Sequence, residues 1–181
     1  MPSETDKRKI AGMLLLALTI GLLWHTPFVY PLKLLVVFFH ELSHVIVTLL
    51  TGGQVLSVEL LGDDGGKCVT RGGVLFLVLN AGYLGSTLFG GVLLLLGTRT
   101  RYERYGVAGV SLVLFGVLPI FLRHAPFFLV IYALFAGVLC FVASLLLSRA
   151  VNGILLQLVG MVSCFYAVYD IASDILPGSG D

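Results

Sequence analysis

Six stretches of roughly twenty mostly apolar residues, at 10–29, 32–51, 74–97, 106–122, 126–147 and 152–176, occupy most of this 181-residue chain. A hydrocarbon core about 30 Å thick needs about 20 such residues per helix. The repeated length therefore predicts an all-α membrane protein of about six transmembrane helices. Polar or helix-breaking residues divide the runs: Pro27 and Pro31, then Arg99 to Arg104, then Arg123, His124 and Pro126, then Arg149 and Asn152. Only 12% of the residues are charged and 58% are hydrophobic, with a mean hydropathy of +1.04. A soluble domain would be about one quarter charged. We read residues 1–181 as a single multi-pass membrane domain, with the lipid bilayer as its solvent. In a bacterium its place would be the plasma (inner) membrane.

The first run follows Lys7, Arg8 and Lys9, as a signal peptide would. No small-x-small cleavage site follows it, so the expectation is a retained first helix. Basic residues fall almost evenly on the two sides, so the positive-inside rule selects no orientation. The net charge of +1 gives no electrostatic case for nucleic acid. Cys68, Cys140 and Cys164 have no ligand-like spacing and predict neither a disulfide framework nor a cysteine metal site. The sequence does not fix an oligomeric state.

One connection is unlike the others. Residues 52–73 read GGQVLSVELLGDDGGKCVTRGG. QVLSVEL alternates in part, KCVTR can pair with it, and DDGG between them tolerates a tight turn. The expectation is a β-hairpin with glycines at both ends, inserted after the second helix. Glu59, Asp63 and Asp64 read as solvated hairpin residues.

The second run contains FFHELSHV, residues 38–45. Ionisable residues inside a span are rare and mark function. His40 and His44 stand at i and i+4, on one helix face about 6 Å apart along the axis, and can share a metal ion. Glu41, beside the first ligand, can take a proton from a metal-bound water. Nitrogen and oxygen donors suit Zn2+, which lowers the pKa of bound water to about 7. The bland alternative is a polar cluster that tethers helices.

A catalytic zinc needs a third protein ligand. His25 and His124 sit at span ends and read as interface residues. Asp170, well inside the last run, is the preferred ligand. Asp174, one turn later on the same face, is the alternative, or a partner to a ligating histidine. In the third run Gly82, Ser86 and Gly90 repeat every four residues and predict a smooth face against the motif helix. Asn80, early in that run, could bind a substrate carbonyl or bond across helices. Tyr83, Tyr166 and Tyr169 read as packing or interfacial residues.

FFHELSH, TGGQVLSVEL, NAGYLGS and YDIASD together resemble the site-2 protease family, and more narrowly its small peptidase M50B-like members. The resemblance runs from about residue 32 to 176. It implies an intramembrane zinc metalloprotease that cuts transmembrane protein substrates, with His40 and His44 as ligands and Glu41 as general base. The family's third ligand lies in an Asn-Pro-x-Pro-x-x-Asp-Gly-type motif. Here YDIASD stands instead, and no PDZ insertion is present. The hairpin gains a use from the resemblance: a substrate helix must unwind before water reaches its peptide bond, and VLSVEL, with Val55 and Ser57, could hold it by strand addition. Two other readings use the same residues. One is a non-catalytic pseudoprotease that binds transmembrane partners. The other is a small metal transporter, which sequence symmetry between halves would favour and which this chain lacks.

Overall fold

The computed structural model describes residues 4–60 and 65–175. Six helices and one hairpin follow in chain order: α1 (Glu4–Leu23), α2 (Tyr30–Leu50), β1 (Gln54–Leu60), β2 (Gly66–Arg71), α3 (Leu75–Arg99), α4 (Glu103–His124), α5 (Phe127–Leu146) and α6 (Arg149–Ile175). Five of them, α2 to α6, are long and apolar enough to cross a membrane. The first differs from expectation. Its apolar part is the shorter Ile10–Leu23, about 21 Å at 1.5 Å per residue. The backbone turns at Leu23 and Thr26, ahead of Pro27, so residues 24–29 add no helical length.

α2 is the central helix. Of its membrane-length window 67% is buried inside the protein, against 33–50% for α3 to α6. An unbroken buried run from Lys33 to Leu42 shows that α2 is covered on all sides. Pro31 opens it, where a missing N–H costs nothing. Gly52, at φ +81°, closes it. The Gly53 N–H reaches the Thr48 carbonyl at 2.8 Å and the Gly52 N–H reaches Leu49 at 3.2 Å, the paired bonds of a Schellman cap.

The chain then enters the antiparallel hairpin, and Gly72 and Gly73, both at positive φ, release it into α3. The strands match the expected boundaries. Asp63 and Asp64, at its tip, lie outside the described residues. Glu59 is exposed and pairs across the strands with Lys67. The register slips by one residue between Val55 and Ser57. That bulge turns Val55 and Val58, three apart, inward together. Both are buried in the core cluster with Phe38, Leu42 and Val45 of α2. The hairpin is thereby seated on α2, and β1 also touches α4.

The most extensive helix pair is α3 with α6. Gly90 meets Gly160, and Gly97 meets Gly153, so closely that a Cβ on Gly90 or Gly97 would stand 2.7 Å from the opposing carbonyl oxygen. Small residues let these backbones approach, as in membrane helix pairs generally. Of the expected smooth face, Gly82 and Ser86 turn to α2 while Gly90 turns to α6. A second tight pair, α4 with α5, is joined by Ser111, whose hydroxyl donates to the Gly137 carbonyl at 2.7 Å. α1 touches the rest through Ile20, in a cluster with Val36, Val37 and Tyr166, and through Trp24, which lies under the Lys33 ammonium at 4.7 Å.

Candidate functional site

The α2 helix brings His40 and His44 to one face, as their spacing requires. Their Nε2 atoms stand 3.2 Å apart. α6, held against α3 by the glycine contacts, carries Asp170 alongside: its Oδ2 lies 3.4 Å from His40 Nε2. One turn and two turns earlier on α6, Tyr166 and Ser163 share that face. Tyr166 sets its ring edge-on to His40 at 5.7 Å, and Tyr83 of α3 does the same at 5.8 Å. His40 is 6% exposed and Glu41 4%, whereas the Asp170 side chain keeps 25% of its surface open. Asp170 is thus more open than either of those two groups.

Each imidazole is held from behind by α3. His44 Nδ1 donates to the Val78 carbonyl at 2.7 Å. A carbonyl can only accept, so Nδ1 bears the proton and His44 Nε2 keeps its lone pair. His40 Nδ1 faces the Ser86 hydroxyl at 3.3 Å. Ser86 is in turn gripped through its backbone carbonyl by the Ser163 hydroxyl, at 2.8 Å. Between the two rings α3 has Gly82, where any Cβ would run into both imidazoles.

Glu41, the next residue along α2, projects about 100° away from His40, toward the hairpin. Its carboxylate lies against Gly66, the first residue of β2, where an added Cβ would overlap it. Cys68, two residues on, feels its charge. Burial first and then Glu41 push the Cys68 thiol up to about 12. Asp170 also interacts electrostatically with Glu41. His40, His44 and Asp170 thus converge on one point, and Glu41, their neighbour on α2, lies under β2.

Other residues singled out by sequence fall elsewhere. Asn80, two residues from both Val78 and Gly82, projects from the opposite side of α3. Its amide nitrogen donates to Phe76 of its own helix at 2.8 Å, so it has no line to the imidazoles. Val55 turns its side chain into the core at 6% exposure, leaving only backbone for a ligand, while Ser57 is half-buried. His25 is exposed in the α1–α2 turn, and His124 is half-buried at the end of α4. The side chain of Asp174 lies outside the described residues. Cys68, Cys140 and Cys164 are all free. Ser86, Ser163, Gly66 and the Val78 carbonyl were not assigned site roles from sequence. The serine-and-glycine pattern of α3 was the one signal that pointed toward one of them, Ser86.

Among the described residues, no three His, Cys, Asp or Glu side chains are grouped as a complete metal cage. The donors meet instead in two pairs that share His40 Nε2. A family model described as Peptidase M50B-like matches residues 13–180. The chain belongs to that family. Comparison with curated proteins and with solved structures gives no match. As a Peptidase M50B-like chain with five membrane-length helices, it is an integral membrane protein of the site-2-type metalloprotease class. The HELSH stretch begins inside the unbroken buried run of α2, at His40, and ends on the half-buried Ser43 and His44.

Proposed function

We propose that this protein is a zinc-dependent intramembrane endopeptidase whose substrates are transmembrane protein segments. His40, His44 and Asp170 would hold the metal, and Glu41 would act as general base. The observation that carries this reading is the convergence on His40 Nε2 of His44 Nε2 at 3.2 Å and Asp170 Oδ2 at 3.4 Å.

The donor chemistry fits a cation. His44 Nε2 is a lone pair, as its bond to Val78 requires. Asp170, when ionised, is an acceptor only. Both face His40 Nε2, a position that a proton fills without metal and that a cation would share with them when bound. His40 and His44 would hold the ion through their Nε2 atoms and Asp170 through its carboxylate. Imidazole and carboxylate donors suit zinc. When bound, zinc supplies a Lewis acid that polarises a carbonyl and makes water nucleophilic at neutral pH.

The chain's own residues do the rest. Glu41 takes the proton of the attacking water and returns it to the leaving amine. Its burial beneath β2 keeps bulk water away from that exchange. A substrate peptide bond inside a helix is shielded by its own hydrogen bonds. β1, through the backbone around Val55 and Ser57, would hold the unwound substrate by strand addition. Asp170, with 25% of its side-chain surface open, would lie on the side of entry.

The test uses purified protein in liposomes with a transmembrane reporter. Glu41→Gln is expected to keep one zinc per chain and lose cleavage. Cleavage by that variant at the parental rate sinks the mechanism. A second reading, a non-catalytic binder of transmembrane partners, is favoured by the lack of a complete three-ligand group among the described residues. Stoichiometric zinc without turnover on any reporter selects it.

A further inference from the structure

Val78, Gly82 and Ser86 lie at four-residue spacing on one face of α3, and all three meet the imidazole pair. They do so with different chemistry. The Val78 carbonyl accepts only, so it locks His44 in one tautomer. A hydroxyl both donates and accepts. Ser86, which is fully buried, can therefore satisfy His40 Nδ1 whether or not that nitrogen carries the proton.

We propose that Ser86 is the positioning residue of His40, and that its hydroxyl lets the ring exchange tautomers as metal enters. The inference rests on the zinc reading above. Without metal, the His40 proton belongs on Nε2, where it faces the His44 lone pair at 3.2 Å and the Asp170 carboxylate at 3.4 Å. Ser86 then donates to Nδ1. With metal, Nε2 becomes a ligand, the proton sits on Nδ1, and Ser86 accepts it. The ring keeps one proton throughout, so the exchange itself releases none.

Tyr83 and Tyr166 meet the His40 ring edge-on, with centroids 5.8 and 5.7 Å away, while the Ser86 hydroxyl meets Nδ1 at 3.3 Å. The Ser163 hydroxyl bonds the Ser86 carbonyl at 2.8 Å, which fixes Ser86 to α6. The same helix carries Asp170. The hydroxyl that orients one proposed ligand is thus tied to the element that supplies another.

The experiment is a zinc titration against a chelator, with nitrogen-15 histidine spectra of the full chain in detergent. In the parent, His44 is expected to hold its proton on Nδ1 in both states. His40 is expected to move its proton from Nε2 to Nδ1 on zinc addition. Ser86→Ala should weaken zinc about 10–100-fold, the usual cost of losing such a partner. Ser86→Thr, which retains the hydroxyl, should recover most of that loss. Circular dichroism checks that both variants stay folded. Zinc affinity unchanged in Ser86→Ala, or a His40 that holds its proton on Nδ1 before zinc, overturns the role given to Ser86 and leaves the zinc site standing. A parent that binds no zinc through His40 and His44 overturns both.

Discussion

Gly90 on α3 and Gly160 on α6 meet backbone to backbone, so that a Cβ on either would stand 2.7 Å from the other's carbonyl oxygen. This contact lies ten residues before Asp170, about 15 Å along α6. We expect it to set how near the carboxylate comes to His40. Gly160→Ala would also bring its Cβ to 3.0 Å from the Leu94 backbone nitrogen. Backbone cannot swing aside as a side chain can, so the helices must part. The expected cost is about 1–3 kcal/mol of stability, the range for overpacking. Zinc affinity should fall with it although no ligand is changed. Thermal unfolding and chelator competition measure the two effects, and a variant with parental values for both would show that the glycine contact does not set the Asp170 position.

Asp170 is a more direct test of the same helix. Asp170→Asn keeps the size of the side chain and removes its charge, so zinc should weaken by at least about tenfold. Asp174→Asn run beside it separates the two acids on one helix face. Loss of metal in the second variant alone would move the ligand one turn along α6.

That choice shows where sequence reading stops. A 3.6-residue period puts Asp170 and Asp174 on the same face, and nothing local ranks them. The separation of 3.4 Å between Asp170 and His40 depends on the depth at which α3 and α6 cross, which the glycine contacts set. His40, Glu41 and His44 were legible because their geometry is intrahelical. The hairpin was legible because glycine pairs bracket it, and Gly52, Gly72 and Gly73 do take positive φ. The inward turn of Val55 was not, since it follows from a bulge set by the pairing of two strands. Asn80 is a related case. Its polarity drew attention, but its azimuth on α3 is opposite to that of Gly82.

Gly66 sits where β2 covers Glu41, and no side chain fits there without displacing the carboxylate. Gly66→Val is expected to lower cleavage by about 10²-fold, since a shift of about 1 Å in a reacting group is worth that much. Zinc content should not change, because the atoms that an added Cβ meets first all belong to Glu41. Rate and metal content measured on one preparation give the answer. A parental rate would mean that the hairpin lifts freely and does not hold Glu41 in place.

Cys68 reports on the same contact without any substrate. Its thiol is pushed from 9.0 to about 12, by burial first and by the Glu41 charge second. The thiolate is the reactive form, so at pH 8 only about one molecule in 10⁴ is ready to react. Alkylation at Cys68, followed by peptide mass spectrometry, should therefore be slow at pH 8 and rise about tenfold per pH unit up to pH 11. Glu41→Gln removes the second cause but leaves the first. The thiol should then titrate lower, yet still above 9.0, and react faster at any fixed pH below its new midpoint. Labelling at pH 8 as fast as that of a free thiol in water would mean that the hairpin stands open and Glu41 is not covered. Slow labelling that Glu41→Gln leaves unchanged would mean that the two groups do not face each other.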